Sequence, residues 1–351
     1  MYLDEGKKII KRYVDEGLLP GAVFAYVTKD DCEKDCYGYK ALLPEKEALT
    51  MDTLYDLASL SKVIGTAPMI FKLTEEGLIS MKMKVSSILE DFPYKDITVE
   101  DLMTHTSGIA ADDKNYKKCK DPEELWDFVM KEVEWPCKRK EKVIYSCFGF
   151  IILGKIIEHY KKDIPSYFED VIASPLGTSN LFYRPEDHGR MKDCAPTEVT
   201  EARGIIQGEV HDGKAHILNG RAGNAGVFSD IDGLIRYTQM ILNDGVYNGK
   251  KILEKTTIDL LKKPYTEGMN EIRTIGGWFF GDPNQSNGDY ISKHSLYHTG
   301  FTGTSLYIDF DRGCGIILLA NAIHPSRDHK MIEIRNLFHD QVLLKTDEVN
   351  G

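Results

Sequence analysis

The sequence predicts an α/β (α+β) fold in which a mixed, mainly antiparallel sheet is flanked by helices and interrupted by a mainly helical insertion. Three observations carry that expectation. Strand-like runs lie at both ends of the chain: AVFAYV at 22–27, then SLYHTGFTG, TSLYIDF and GIILLANAI between 295 and 323. Helical rhythm dominates the middle. Each terminus reads as a helix, MYLDEGKKIIKRYVDEG at one end and MIEIRNLFHDQVLLK at the other. The sheet domain is therefore expected from 1–74 together with 223–351, and the inserted helical domain from 75–222.

The elements follow in order. LPG at 19–21 turns the chain into AVFAYV, a buried strand that residues 37–41 can partner. From Leu60 onward, Val63, Ile64, Ala67, Ile70, Phe71 and Leu73 keep helical spacing, with a kink expected at Pro68. ITVEDLMTH, PEELWDFVMKEV, GFIILGKIIEHY and SYFEDVIAS predict the helices of the insertion. GRAGNAG at 220–226 reads as a turn, before helices in DIDGLIRYTQMILNDG and EKTTIDLLKKPY. TIGGWFFG reads as a strand, and DRG at 311–313 as the hairpin turn between the last two strands.

Composition narrows the functional classes. With 351 residues, 42% hydrophobic and 28% charged, the chain has ample material for a core. A formal charge of -11 argues against nucleic acid or an acidic membrane as partner, because either needs a basic face. The basic run KRKEK at 138–142 reads as a solvated loop. Seven scattered cysteines without CxxC pairing suit reduced thiols rather than a disulfide framework or a zinc site. His294 and His298 are four apart, but in a strand-like pattern without a third ligand, so no metal is expected. Neither a phosphate loop nor a dinucleotide fingerprint is present, and no cofactor is implied. No signal-type or membrane-spanning run occurs, which reads as a cytoplasmic protein unless a leader has been removed.

Chemistry concentrates in LASLSKVIGT at 57–66. On a helix, Ser59 and Lys62 share a face, so hydroxyl and amine come within hydrogen-bond reach. Burial and the positive end of the helix dipole are expected to favour the neutral amine. That amine then takes the serine proton itself or tunes a neighbour that does.

Two further stretches turn the pair into a pattern: IYSCFGF, with Tyr145 and Ser146 opening a helix, and LYHTGFTG, with His298, Thr299 and Gly300 on a strand. LMTHTSGI, GEVHDGKAHILNGRAGNAGVFS and LLANAIHP add support. In that order these motifs resemble the serine β-lactamase and penicillin-binding protein (DD-peptidase) superfamily, in its class C-like branch with esterases and D-amino-acid peptidases. The resemblance spans nearly the whole chain and implies a β-lactamase/transpeptidase-like fold. It makes Ser59 the nucleophile of an acyl-enzyme and gives the proton work to Lys62 and Tyr145 as one coupled unit. It places the backbone N–H groups of Ser59 and Phe301 in an oxyanion hole. His298, Thr299, Gly300 and Cys147 become substrate-binding positions, with Gly300 and Gly303 letting the strand edge approach a substrate.

Two positions depart from the pattern. Cys147 stands where many relatives carry asparagine, so the grip on a side-chain amide is expected to be lost. His298 stands where lysine is common, so carboxylate recognition is expected to weaken and to depend on pH. Both favour ester or D-amino-acid amide hydrolysis over β-lactam hydrolysis; a slowly deacylating penicillin-binding sensor is the competing reading. His105, and His211 with Asp212, are expected to brace turns rather than act on substrate.

Overall fold

AVFAYV lies at the centre of the fold. The computed structural model describes residues 1–281 and 287–350. Among the described residues the largest sheet has seven strands: β1 (Gly21–Thr28), β2 (Cys32–Ala41), β3 (Glu47–Ala48), β4 (Phe279–Phe280), β5 (Ser295–Thr299), β6 (Ser305–Asp309) and β7 (Cys314–Ala320). Their order is β4-β5-β6-β7-β1-β2-β3, with antiparallel pairing throughout. Strands from both ends of the chain thus meet where β7 pairs with β1, Phe24 lying opposite Leu318.

β1 alternates between two cores. Val23, Ala25 and Val27 join one with Leu60, Ile64 and Ile241, while Ala22, Phe24 and Tyr26 join the other with Ile10, Phe338 and Val342. A strand apolar on both faces needs cover on both. The terminal helices Asp4–Asp15 and Met331–Asn350 pack on one side, and the helices that start at Leu60 and span Ile231–Leu242 pack on the other.

Segment 75–222 gives the large sheet no strand among the described residues. It contributes Leu181–Tyr183 to a smaller sheet, where that strand pairs with Val227–Ser229, which in turn pairs with Tyr55–Asp56. TIGGWFFG pairs only through β4, because Gly276 and Gly277, both at φ +87°, turn the chain away from the ladder. Pro68 causes no kink within an α-helix. A π-helical turn, Lys62–Thr66, precedes the α-helix Ala67–Glu75, and Pro68 sits in that helix's first turn, where its missing N–H is no loss. No described helix is long and apolar enough to cross a membrane.

Candidate active site

Ser59 follows a strained turn. Ala58 sits at φ +47°, a left-handed conformation that costs an L-residue about 1–2 kcal/mol. Its N–H donates to the buried Asp56 carboxylate at 2.8 Å, and the other Asp56 oxygen accepts the His211 N–H at 2.7 Å. The loop after β5 ties down the same turn: Thr302 Oγ1 donates to Asp56 O at 2.8 Å and Thr304 Oγ1 to Leu57 O at 3.3 Å. A Cβ on Gly300 would lie 2.5 Å from Leu57 O. Gly300 therefore also lets its strand approach the turn that carries Ser59. Ser59 is delivered at a helix start, and the first turns depart from α-geometry into the π-turn, a feature frequent at functional sites.

Lys62 points back at the serine. Its Nζ, wholly buried, donates to Ser59 Oγ at 3.0 Å and to Asn224 O at 2.7 Å, and lies 5.2 Å from the Tyr145 ring centroid. Burial alone would discharge it, but Cys147, Tyr145 and Asp212 outweigh that and raise its pKa above the usual lysine value. That direction runs against the expected neutral amine and favours, of the two roles open to Lys62, the cation that tunes a neighbour.

Asn224 holds that ammonium through its carbonyl and donates its side-chain amide to Asp212 at 2.9 Å. Its placement depends on Gly223, where a Cβ would lie 2.0 Å from Phe150 O. GRAGNAG is thus a packing element as well as a turn. Asp212 also caps the short helix Gly213–Ile217, so the His211–Asp212 pair braces both the Ser59 turn and the lysine.

Tyr145 precedes the N-cap Ser146 of helix Cys147–Lys161. His105 holds that entry: its O accepts Ile144 N–H at 2.8 Å and its Nδ1 accepts Ser146 N–H at 3.1 Å. Its ring lies 4.7 Å from the Tyr145 ring. Burial, then the positive charges of Arg273 and Lys62, push its pKa well down, so it is a neutral brace.

His298 lies in the interior. It is 2% exposed, Nδ1 pairs with Thr299 O at 3.0 Å, and burial with the nearby Arg273 and Lys62 charges holds its pKa well below the ordinary histidine value. Burial and the lowered pKa both run against a charged carboxylate reader at this position, since motif order says nothing about how deeply the strand is covered. His294, four residues earlier, is exposed and pairs with Asp311, so the two histidines do not converge.

In front of Ser59 lies a cavity of about 480 Å³. Ser59, Tyr145, Cys147 and Phe301 line it, and His298, Thr299 and Gly300 are not among its lining residues. Neither Ser59 N–H nor Phe301 N–H donates to a protein acceptor among the described residues, which leaves both available to an oxyanion. The Phe301 ring, 54% exposed, stacks on His211 at 5.6 Å and lies 5.1 Å from Arg327. Charged groups on the wall are paired: Lys214 with Asp112, Glu198 with Arg327 and His211, Arg203 with Glu209.

Sequence reasoning missed Asp56 and Asn224. Asp56 carried a usable signal, an acid three residues before the serine at the end of a strand. Glu198, Arg203 and Arg327 carried none, because only the fold assembles them.

The chain matches the family model described as Beta-lactamase over residues 7–340. It is 29% identical to an N-acetylmuramyl-L-alanine amidase of Bacillus subtilis (strain 168), over 90% of this chain and 80% of that one. It is likewise 29% identical to a protein of Salmonella agona (strain SL483) named as a candidate D-alanyl-D-alanine carboxypeptidase, over 82% and 74%. The octameric penicillin-binding protein homologue of Pyrococcus abyssi shares the fold, with TM-score 0.77 and 22% identity over 98% of this chain and 78% of that one. Over residues 7–340, this chain belongs to the Beta-lactamase family of hydrolases.

Proposed function

We propose that the protein is a serine hydrolase acting through an acyl-enzyme on Ser59, with uncharged esters as its preferred substrates. One observation supports this above all: Ser59 Oγ accepts a 3.0 Å hydrogen bond from the buried Lys62 ammonium at the edge of a cavity that Tyr145 also lines. The Tyr145 phenolate, stabilised by Lys62, takes the Ser59 proton as Oγ attacks the substrate carbonyl carbon. The carbonyl π pair moves onto oxygen, and the N–H groups of Ser59 and Phe301 hold that oxyanion. Collapse expels the alcohol, which takes its proton from Tyr145. Water then attacks the acyl-enzyme, gives its proton to Tyr145 and releases the acid, with Ser59 reprotonated.

The substrate preference rests on charge. The cationic wall residues Lys214, Arg203 and Arg327 already have carboxylate partners, and His298 is buried and neutral, so among the described residues a substrate carboxylate meets no cation on the wall without a carboxylate partner. D-amino-acid peptides and β-lactams, both bearing a carboxylate, are disfavoured on this ground. The amidase and carboxypeptidase relatives support acyl chemistry at carbon as the reaction type.

Intact-mass analysis during turnover of p-nitrophenyl butyrate and of the matching hemisuccinate tests the proposal. A transient acyl adduct, absent from Ser59→Ala, and a higher kcat/KM for the butyrate are expected. Turnover by Ser59→Ala refutes the nucleophile, a faster hemisuccinate refutes the preference, and an adduct that persists makes the protein a sensor.

A further inference from the structure

Arg273 has no part in the chemistry described above, yet its guanidinium is buried within the same cluster. It is 1% exposed, with Cζ 3.4 Å from the Phe279 ring centroid and 5.4 Å from that of Tyr145. Nη1 donates to Gly277 O at 2.8 Å, while Nε and Nη2 donate to one oxygen of Glu271 at 3.0 and 2.7 Å. Burying a cation is costly unless the charge is used or fully paired. Here the pairing is lopsided: Glu271 keeps 28% of its side chain exposed, so solvent screens the partner more than it screens the guanidinium.

The surroundings of Tyr145 make that imbalance matter. Lys62 faces its ring at 5.2 Å and Arg273 at 5.4 Å. His105 and His298 approach it at 4.7 and 5.9 Å between ring centroids, and both are neutral. Cys147, two residues on, shares the cavity wall with it, and Asp212 and Glu271 act at one remove through Lys62 and Arg273. Two cations and two uncharged rings therefore surround a phenol whose role calls for the anion.

We propose that Arg273 is a positioning residue for the reaction, a second buried cation that together with Lys62 stabilises the phenolate of Tyr145. This deepens the serine-hydrolase reading and rests on the role given there to Tyr145. It also gives a reason for arginine at this position, since guanidinium keeps its charge in surroundings that would discharge histidine.

The test combines Arg273→Met, Arg273→Lys and Glu271→Gln. For each, kcat/KM for p-nitrophenyl butyrate is measured against pH, alongside the ultraviolet tyrosinate signal that vanishes in Tyr145→Phe. An opposite charge at this range shifts a titration by about one pH unit or more, and the low end applies because Glu271 offsets part of the field. Arg273→Met should therefore move the acid limb up by about one unit, lower kcat/KM about tenfold below it, and restore the wild-type value on the alkaline plateau with KM unchanged. Arg273→Lys should stay near wild type. Glu271→Gln, on a side chain that reaches solvent, should move the limb the other way and decides the matter even if Arg273→Met fails to fold. A loss uniform across pH, or a Glu271→Gln limb that does not move down, overturns the proposal and leaves Arg273 a packing residue. The tyrosinate signal needs no turnover, so a Ser59 assignment refuted by mass analysis would be told apart from a failure here.

Discussion

Replacing Asp56 tests whether the Ser59 turn is imposed from outside. Asp56 is 2% exposed and accepts two backbone N–H bonds, from Ala58 at 2.8 Å and His211 at 2.7 Å. A hydrogen bond to a charged acceptor is worth about 1.5–3 kcal/mol net, and the low end applies because burial pushes this carboxyl's pKa up. Asp56→Ala loses both bonds and should destabilise the fold by about 3 kcal/mol. Asp56→Asn keeps one carbonyl acceptor and should cost about half as much. Activity should fall further than stability explains. With its N–H released, Ala58 can leave the left-handed region, and a shift of Ser59 by about 1 Å costs on the order of 100-fold in rate. Urea unfolding followed by circular dichroism, with kcat/KM on p-nitrophenyl butyrate, gives both quantities. If Asp56→Ala folds within about 0.5 kcal/mol of wild type, inside the range of ordinary surface substitutions, and keeps its activity, the turn does not depend on the carboxylate.

Tyr145→Phe and Lys62→Ala should each lower kcat by at least ~100-fold, the usual loss of a positioned acid or base, and the double variant should be little worse than either; multiplicative losses in that cycle would refute their action as a unit. Acid should destabilise the protein through its buried neutral histidines, His105, His298 and His339, the last pushed down to about 3. Folded pKa values below the unfolded ~6.5 mean the unfolded chain binds more protons, so stability is lost as pH falls below that value, by up to about 1.4 kcal/mol per unit for each such histidine. Urea midpoints unchanged between pH 7 and pH 5 would contradict this, and His339→Leu should flatten the slope.

What the sequence showed and what it hid differ in range. β1 was legible because a strand apolar on both faces has a local signature, and the Leu60 helix because its spacing does. The order of Ser59, Tyr145 and His298 was legible as a pattern. The protonation of Lys62 and His298 was not, since each depends on how many layers cover the residue and which charges lie behind it. For Lys62 burial argued for neutrality, and Cys147, Tyr145 and Asp212, drawn from two distant segments, reversed the sign. For His298 the same burial won, because the charges nearest to it are positive. One physical term thus gave opposite outcomes at two residues of one site, decided by neighbours that no spacing rule identifies.

Ala58 shows why the serine–lysine pair alone is poor evidence of a site. A glycine would enter the left-handed region without penalty, so an alanine there means the turn is held by tertiary contacts rather than by local preference. Those contacts come from Asp56, from the His211 backbone and from Thr302 and Thr304 beyond Gly300, segments far apart in the chain. The lysine is held in the same way, by a carbonyl at Asn224 whose approach requires glycine at 223. A serine three residues before a lysine on an ordinary helix would have neither the strained approach nor the anchored ammonium. The combination becomes informative when the HTG strand, the HD turn and the glycine-rich stretch are present to impose it, and all three occur in this chain.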